Sequence, residues 1–171
     1  MGVIVMPLDK LPIKMSPGLG LSMLDRAIKE SFALRCSTAD LEKVRQYFSK
    51  NGGLHCLYCG AENPSRWDHL HAVSRGGDTV PGNLVPACQR CDDSKQDKDI
   101  DEWLSGKSKH RPAPDSLARI QSKVNAYQVH FPYKPKEFDE KLSKAQRVTY
   151  TRFRKELDSL RAHLQHDGLL K

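Results

Sequence analysis

The sequence predicts an α+β fold, in which a small zinc-stapled unit of two strands and a helix is surrounded by N- and C-terminal helices. Two pairs of CxxC cysteines, separated by 28 residues, bracket two strand-like segments and a turn-rich loop. Apolar residues recur at helical spacing on both sides of this unit. We therefore expect three regions: an N-terminal arm with helices at 1–53, the metal-bearing core at 54–106, and a basic helical extension at 107–171.

For residues 1–53, the sequence predicts an irregular arm followed by two helices. Residues 1–20 contain three prolines, which favours an irregular arm. The first helix follows from an apolar stripe of Leu21, Leu24, Ile28 and Phe32. The second is expected over 39–50, with Ser37 or Thr38 as its N-cap and two glycines as its stop.

The central region predicts a strand, a turn, a second strand and a helix. The segments "RWDHLHAV" and "NLVPA" are short and strand-like, and "SRGGDTVPG" between them is rich in turn-forming residues. Beyond Cys91, "DDSKQDKDIDEWLSG" predicts a helix with Asp92 at its start. Its buried face is expected to consist of Ile100, Trp103 and Leu104.

The last region predicts two further helices. One is expected over 115–129, with one apolar side formed by Leu117, Ile120, Val124 and Tyr127. The other is expected over 138–166, where Phe153, Leu157, Leu160 and Leu164 repeat at 4-3-4 spacing. This stripe predicts a face that docks on the rest of the chain, and the seam of a homodimer is the alternative.

Composition narrows the class of partner. The net charge is +7, which favours a polyanionic partner such as nucleic acid, although solubility alone also explains such a charge. No apolar run approaches membrane-spanning length, so no membrane is expected as a partner. Paired cysteines in a reducing compartment hold a metal more often than a disulfide. The start of the sequence lacks a basic leader before a long apolar stretch, so we expect a cytoplasmic protein.

The four paired cysteines predict one structural metal site. Two CxxC pairs place four thiolates tetrahedrally around a single Zn²⁺, and a four-sulfur site leaves no open position for chemistry. A redox pair and an iron–sulfur centre are the alternatives. The expected zinc ligands are Cys56, Cys59, Cys88 and Cys91.

Residues between the two cysteine pairs predict a catalytic site. If the two strands pair and the helix packs across them, Asp68 and Asp92 converge on one Mg²⁺ or Mn²⁺ ion, for which carboxylate oxygens are suited. His69 then stands beside that ion, and its neutral imidazole can accept a proton from water. These groups predict metal-assisted hydrolysis of a phosphodiester.

Several of these residues have a simpler interpretation. Asp92 is also the natural cap of the following helix. His71 lies on the same strand face as His69 if the strand is regular, where it either contacts phosphate or packs. Asn83 is expected to hold the turn through its side-chain amide. The expected nucleic-acid contacts are His71, Arg75, Arg90, Lys95 and Lys98.

The segment "CLYCG … WDHLHAVSRGG … GNLVPACQRCDDSK" resembles the HNH endonucleases, specifically the subgroup with a four-cysteine zinc. The resemblance implies a ββα-metal core, with His69 as general base, Asp68 as metal ligand and Asn83 as the structural asparagine of the turn. It also implies DNA cleavage that leaves a 5′-phosphate and a 3′-hydroxyl. Asp92 stands where the family usually has asparagine, so either Asp92 or Asp93 completes the implied cation site.

Two functions follow from these observations. The first is a DNA endonuclease, such as a small restriction or phage nuclease, with one structural Zn²⁺ and a catalytic Mg²⁺ or Mn²⁺. The second is a non-catalytic zinc-ribbon module that binds nucleic acid. His69 favours the enzyme, because a ribbon that only binds needs no base at that position.

Overall fold

The computed structural model describes residues 16–170, and within them the chain forms six α-helices and one two-stranded sheet. The predicted mixed architecture, rich in helix and with a small sheet, is confirmed. The elements are α1 (Pro17–Ser31), α2 (Thr38–Lys50), β1 (Arg66–His69), β2 (Leu84–Ala87), α3 (Gln89–Lys95), α4 (Ile100–Ser105), α5 (Leu117–His130) and α6 (Lys144–His166).

Both N-terminal helices begin at serine caps. The side chain of Ser16 accepts a hydrogen bond from the amide of Leu19, and Pro17 occupies the first helical position, where its missing N–H costs nothing. The predicted irregular arm over 1–20 is therefore wrong at its C-terminal end, and residues 1–15 lie outside the described part. The α2 helix begins as predicted, because Ser37 and Asp40 form a reciprocal capping box.

The two predicted strands pair antiparallel, from Arg66 opposite Ala87 to His69 opposite Leu84. The first strand is shorter than predicted, because the chain leaves the sheet after His69 and enters a 3-10 turn at Val73–Arg75. The side chain of Asn83 bonds the backbone of His71 at this point: its oxygen accepts from the amide of His71 and its nitrogen donates to the carbonyl of His71. His71 therefore lies beyond the strand, and the expectation that it shares a strand face with His69 is wrong.

The helix after the second strand differs from the prediction at its start and in its continuity. It begins at Gln89, with Cys88 at the N-cap position, so Asp92 lies inside the helix and is not its cap. The helix ends where Gln96 adopts a positive φ of 58°, and a separate helix, α4, follows. The predicted buried face of that second helix is confirmed at Ile100, Trp103 and Leu104.

The core lies between the strand pair, α2, α4 and α5. Tyr58 and Trp103 are fully buried and meet edge to face, with ring centroids 5.1 Å apart. The predicted stripe of α5 is buried in this core at Ile120, Val124 and Tyr127. Because the core takes side chains from before, within and after the cysteine segment, the flanking helices are part of its packing.

The last helix is shorter than predicted, because Phe138–Lys141 forms a 3-10 turn and α6 begins only at Lys144. Of its predicted stripe, Leu157 is buried and Leu160 is 45% exposed. The helix contacts α1, where Asp25 receives an ion pair from Arg154 at 3.0 Å. The homodimer stays a prediction, and no helix in the described range has the length and apolar character to span a bilayer.

Candidate functional site

The four paired cysteines come together as predicted. Their sulfur atoms all lie within 4.8 Å of one another, and those of Cys59 and Cys88 are 3.7 Å apart. Tetrahedral Zn²⁺ with Zn–S bonds of about 2.3 Å needs sulfurs about 3.8 Å apart, so this set is consistent with zinc. Cys56 and Cys91 share a hydrogen bond, which lowers the pKa of Cys56 and raises the pKa of Cys91, so one thiolate and one thiol lie side by side.

Asp68 lies on the inner face of β1 and is 5% exposed. Its carboxylate accepts a hydrogen bond from the Tyr58 hydroxyl at 2.5 Å and pairs with the Lys95 ammonium at 3.2 Å. Burial raises the pKa of Asp68 despite these two partners. Asp68 is therefore held by an internal cation rather than left open to solvent.

His69 lies on the opposite face of the same strand, because successive side chains of a strand project to opposite sides. Its Nε2 atom is 3.0 Å from the hydroxyl of Thr79. The ring lines a cleft of about 370 Å³, whose other wall is formed by residues of α1, the α1–α2 connection and α2. This cleft is the largest opening onto a residue of the predicted catalytic set.

The environment of His69 keeps the ring uncharged. Burial is the main cause that lowers its pKa to about 4, and the positive charges of Lys95 and Arg26 act in the same direction. The neutral imidazole is the form that accepts a proton, and the same lowering of its pKa makes it a weaker base than an ordinary histidine.

We expect the His69 ring to remain neutral well below the usual histidine range. Since its folded pKa is about 4, the ring should stay uncharged at pH 5.5, where exposed histidines are mostly protonated. NMR titration of the imidazole carbon shifts in zinc-loaded protein measures this. His163 on α6, which is exposed, is the internal comparison. A midpoint for His69 near 6.5 would contradict the prediction.

Asp92 and Asp93 both bind one arginine. The Arg66 guanidinium lies 2.7 Å from Asp92 and 2.5 Å from Asp93. Among the residues that the structure describes, the four cysteines are the one group of three or more His, Cys, Asp or Glu whose ligand atoms lie close together. Asp68, His69 and Asp92 are thus not assembled around one position.

Asn83 holds the turn between the strands. It is fully buried; its side-chain oxygen accepts from the amide of His71, and its side-chain nitrogen donates to the carbonyls of His71 and Asp78. The side chain of His71 is nearly buried beside Glu137, 4.0 Å away. These contacts fix the path of the chain immediately after His69.

The predicted phosphate contacts are mostly occupied by other partners. Arg75 pairs with Asp99 at 3.0 Å, Arg90 lies 3.1 Å from a ring nitrogen of His110, and Lys98 donates to Gln96. Lys95 has no exposed surface, and its ammonium donates to the carbonyl of His69 at 2.8 Å. The predicted contact between Lys95 and phosphate is therefore wrong, and Lys95 instead bonds buried groups inside the core.

Three residues of the His69 cleft were not among the site residues predicted from the sequence. Arg26 and Arg35 line it from outside the cysteine segment, and Thr79 contacts the ring from the inter-strand loop. Arg26 and Arg35 lie in or just after α1, about 30 to 45 positions before His69, and no spacing rule connects residues across that interval. For Thr79 the one available signal is its place in a turn next to the second strand.

Comparison with known proteins agrees with this geometry. Residues 56–98 match the family model described as HNH endonuclease. Among curated proteins and among solved structures, nothing matches the chain.

The chain therefore carries an HNH domain, whose strand pair, helix α3 and four-cysteine site are those described above. The match covers residues 56–98, about a quarter of the chain. The helices α1, α2, α4, α5 and α6 lie outside the matched segment.

Proposed function

We propose that the protein is a DNA endonuclease that hydrolyses phosphodiester bonds, with His69 as general base. One observation carries the proposal: inside an HNH domain, His69 lines an open cleft with its ring uncharged. The net charge of +7 supports a polyanionic substrate. The four cysteines are proposed to hold a structural Zn²⁺ that takes no part in the chemistry.

The proposed reaction uses the His69 ring to activate water. The imidazole takes one proton from a water molecule, whose oxygen forms a bond to phosphorus. The bond from phosphorus to the 3′ oxygen breaks, and that oxygen takes the electron pair and then a proton from solvent. The products are a 5′-phosphate and a 3′-hydroxyl, and general base catalysis of this kind contributes about 10²- to 10⁴-fold.

A divalent cation, Mg²⁺ or Mn²⁺, is proposed as the second cofactor, and it would supply stabilisation of charge on the phosphate and the departing oxygen. The proposed ligands, Asp68 with Asp92 or Asp93, do not form an open cation site here. Lys95 pairs with the first carboxylate, and the single positive charge of Arg66 is shared by the other two. Cation binding therefore requires Lys95 to leave Asp68 and Arg66 to leave Asp92 or Asp93.

The DNA backbone is proposed to lie along the His69 cleft. Arg35 lines this cleft and makes no ion pair within residues 16–170, and Arg26 lies close enough to influence the charge of the ring. Both are exposed, as a phosphate contact requires. Arg75, Arg90 and Lys98 remain proposed phosphate contacts, and each would have to leave its present partner. His71 is proposed as a further contact with nucleic acid, at the edge of the turn.

The proposal is tested by incubating supercoiled plasmid with zinc-loaded protein and Mg²⁺ or Mn²⁺, and mapping the ends. We expect nicked or linear DNA with 5′-phosphates, and a loss of about 10²- to 10⁴-fold for His69→Ala. His163→Ala is the matched control, since it removes an exposed imidazole from α6. Absence of cleavage by the unaltered protein, or equal cleavage by His69→Ala, would reject the proposal.

A binding module without catalysis is the second candidate. The observation that favours it is the set of ion pairs that occupies Asp68, Asp92 and Asp93. Such a module would bind DNA with a salt dependence of about 0.9 per phosphate neutralised, and it would not cut DNA with any divalent ion.

A further inference from the structure

We propose that the α1–α2 connection, which lies outside the HNH segment, positions the His69 imidazole through the hydroxyl of Thr79. The inference deepens the proposed function and rests on it. Thr79 is a positioning residue here, because it acts through the ring and not on the substrate.

The contact with the ring is specific to one nitrogen. The Thr79 Oγ1 atom lies 3.0 Å from Nε2 of His69, whereas Nδ1 makes no hydrogen bond within the described range. The backbone of His69 is held separately, by pairing with Leu84 and by the Lys95 ammonium on its carbonyl oxygen. Backbone and ring are thus fixed by different partners, and within residues 16–170 Thr79 is the one residue that hydrogen-bonds the ring.

Thr79 is itself held by the N-terminal extension. Its amide donates to the carbonyl of Leu34 at 2.8 Å, and its carbonyl accepts from the amide of Cys36 at 2.7 Å. These two bonds form an isolated parallel bridge centred on Arg35. The Thr79 hydroxyl therefore keeps its position only while residues 34–36 stay against the loop.

The neighbouring residue, Asp78, strengthens this attachment. Its carboxylate accepts from the amide of Leu34 at 2.7 Å and pairs with Lys141 at 2.5 Å. The backbone amide of Asp78 is also held in place, because it donates a hydrogen bond to the hydroxyl of Tyr133 at 3.0 Å. The loop that carries Thr79 is in this way tied to segments both before and after the HNH domain.

The hydroxyl of Thr79 can either accept from or donate to Nε2, so the contact is compatible with both tautomers of the ring. If Nε2 carries the proton and donates to Oγ1, then Nδ1 keeps its lone pair and is the nitrogen that accepts a proton from water. The opposite polarity would put the proton on Nδ1 and engage the lone pair of Nε2, which would leave no nitrogen free to act as a base. The proposed reaction therefore requires the first arrangement.

The test compares Thr79→Val, which removes the hydroxyl at nearly constant shape, with Thr79→Ser, which keeps it. Thr38→Val is the control, because Thr38 lines the same cleft without a hydrogen bond to His69. Long-range ¹H–¹⁵N NMR of zinc-loaded protein, without added divalent ion or DNA, should show a single Nε2–H tautomer in the unaltered protein, Thr79→Ser and Thr38→Val. Thr79→Val should show a mixture of tautomers.

Kinetics give a second readout. With plasmid and Mg²⁺, we expect Thr79→Val to lower kcat about 10- to 100-fold with little change in KM, and Thr79→Ser to restore most of it. Zinc content and melting temperature should match the unaltered protein. A Nδ1–H tautomer in the unaltered protein, or an unchanged tautomer in Thr79→Val, would overturn the inference.

The two proposals fail separately. If the unaltered protein does not cleave DNA while the tautomer depends on Thr79, the positioning contact stands and the nuclease proposal falls. If the protein cleaves DNA and Thr79→Val cleaves it equally well, the positioning role falls and the nuclease proposal stands.

Discussion

Replacing Cys88 with serine is expected to unfold the domain that contains the strand pair. The four cysteines join residues 56–59 to residues 88–91, and a structural Zn²⁺ site contributes about 10–16 kcal/mol of apparent binding free energy. A typical domain has a free energy of unfolding of about 5–15 kcal/mol, so losing one ligand removes an amount comparable to the whole. The measurement is zinc content together with near-UV circular dichroism, which reports the packing of buried Trp103.

Cys36→Ser is the matched control for this prediction. Cys36 lies outside the four-sulfur group, so its serine variant should keep one Zn²⁺ per chain and its near-UV spectrum. A strong chelator should reproduce the effect of Cys88→Ser on the unaltered protein, and a reductant should not. Full retention of fold by Cys88→Ser, or loss of fold with reductant alone, would contradict a structural metal site and favour a redox pair.

Replacing Lys95 with methionine is expected to destabilise the protein by about 3–5 kcal/mol, the usual cost of removing one partner of a buried ion pair. Lys95 has no exposed surface, and its ammonium is the cation next to the carboxylate of Asp68. Without it the carboxylate is buried with the Tyr58 hydroxyl as its remaining partner, and the carbonyl of His69 loses its donor. Urea denaturation of zinc-loaded protein measures the change.

A double variant separates charge from packing. Asp68→Asn combined with Lys95→Met removes both charges and keeps an oxygen that accepts from Tyr58, so it should be more stable than Lys95→Met alone. Lys98→Met is the control, since Lys98 lies three residues later and bonds the side chain of Gln96. Equal stability of the Lys95 and Lys98 variants would show that the buried pair contributes nothing.

The local signals in the sequence were sufficient for most of the elements. Caps and apolar periodicity predicted α2, the buried face of α5 and both strands, because these depend on residues close together in the chain. The predictions of secondary structure failed where tertiary contacts overrode a local pattern. The long predicted helix beyond Cys91 is interrupted at Gln96, and the first strand ends at His69, beyond which the side chain of Asn83 bonds the backbone of His71.

The same contrast between local sequence signals and tertiary contacts applies to the candidate site. Cysteine spacing alone predicted the four-sulfur group, since two CxxC knuckles can meet in few arrangements. Adjacency of Asp68 and His69 in the chain suggested a shared ion, yet the alternation of a strand sends the two side chains to opposite faces. One enters the core with Lys95, and the other faces the cleft with Thr79.

The sequence by itself therefore determined the class of domain, the four cysteines that are positioned to bind a metal ion and the choice of His69 as the proposed base. The tertiary structure alone decided what surrounds that base: Thr79 on its Nε2 atom, Lys95 on its carbonyl oxygen and Arg35 across the cleft. The physical reason is distance along the chain. Ligand spacing and periodicity operate within a few residues, whereas burial, charge pairing and ring orientation depend on segments that only folding brings together.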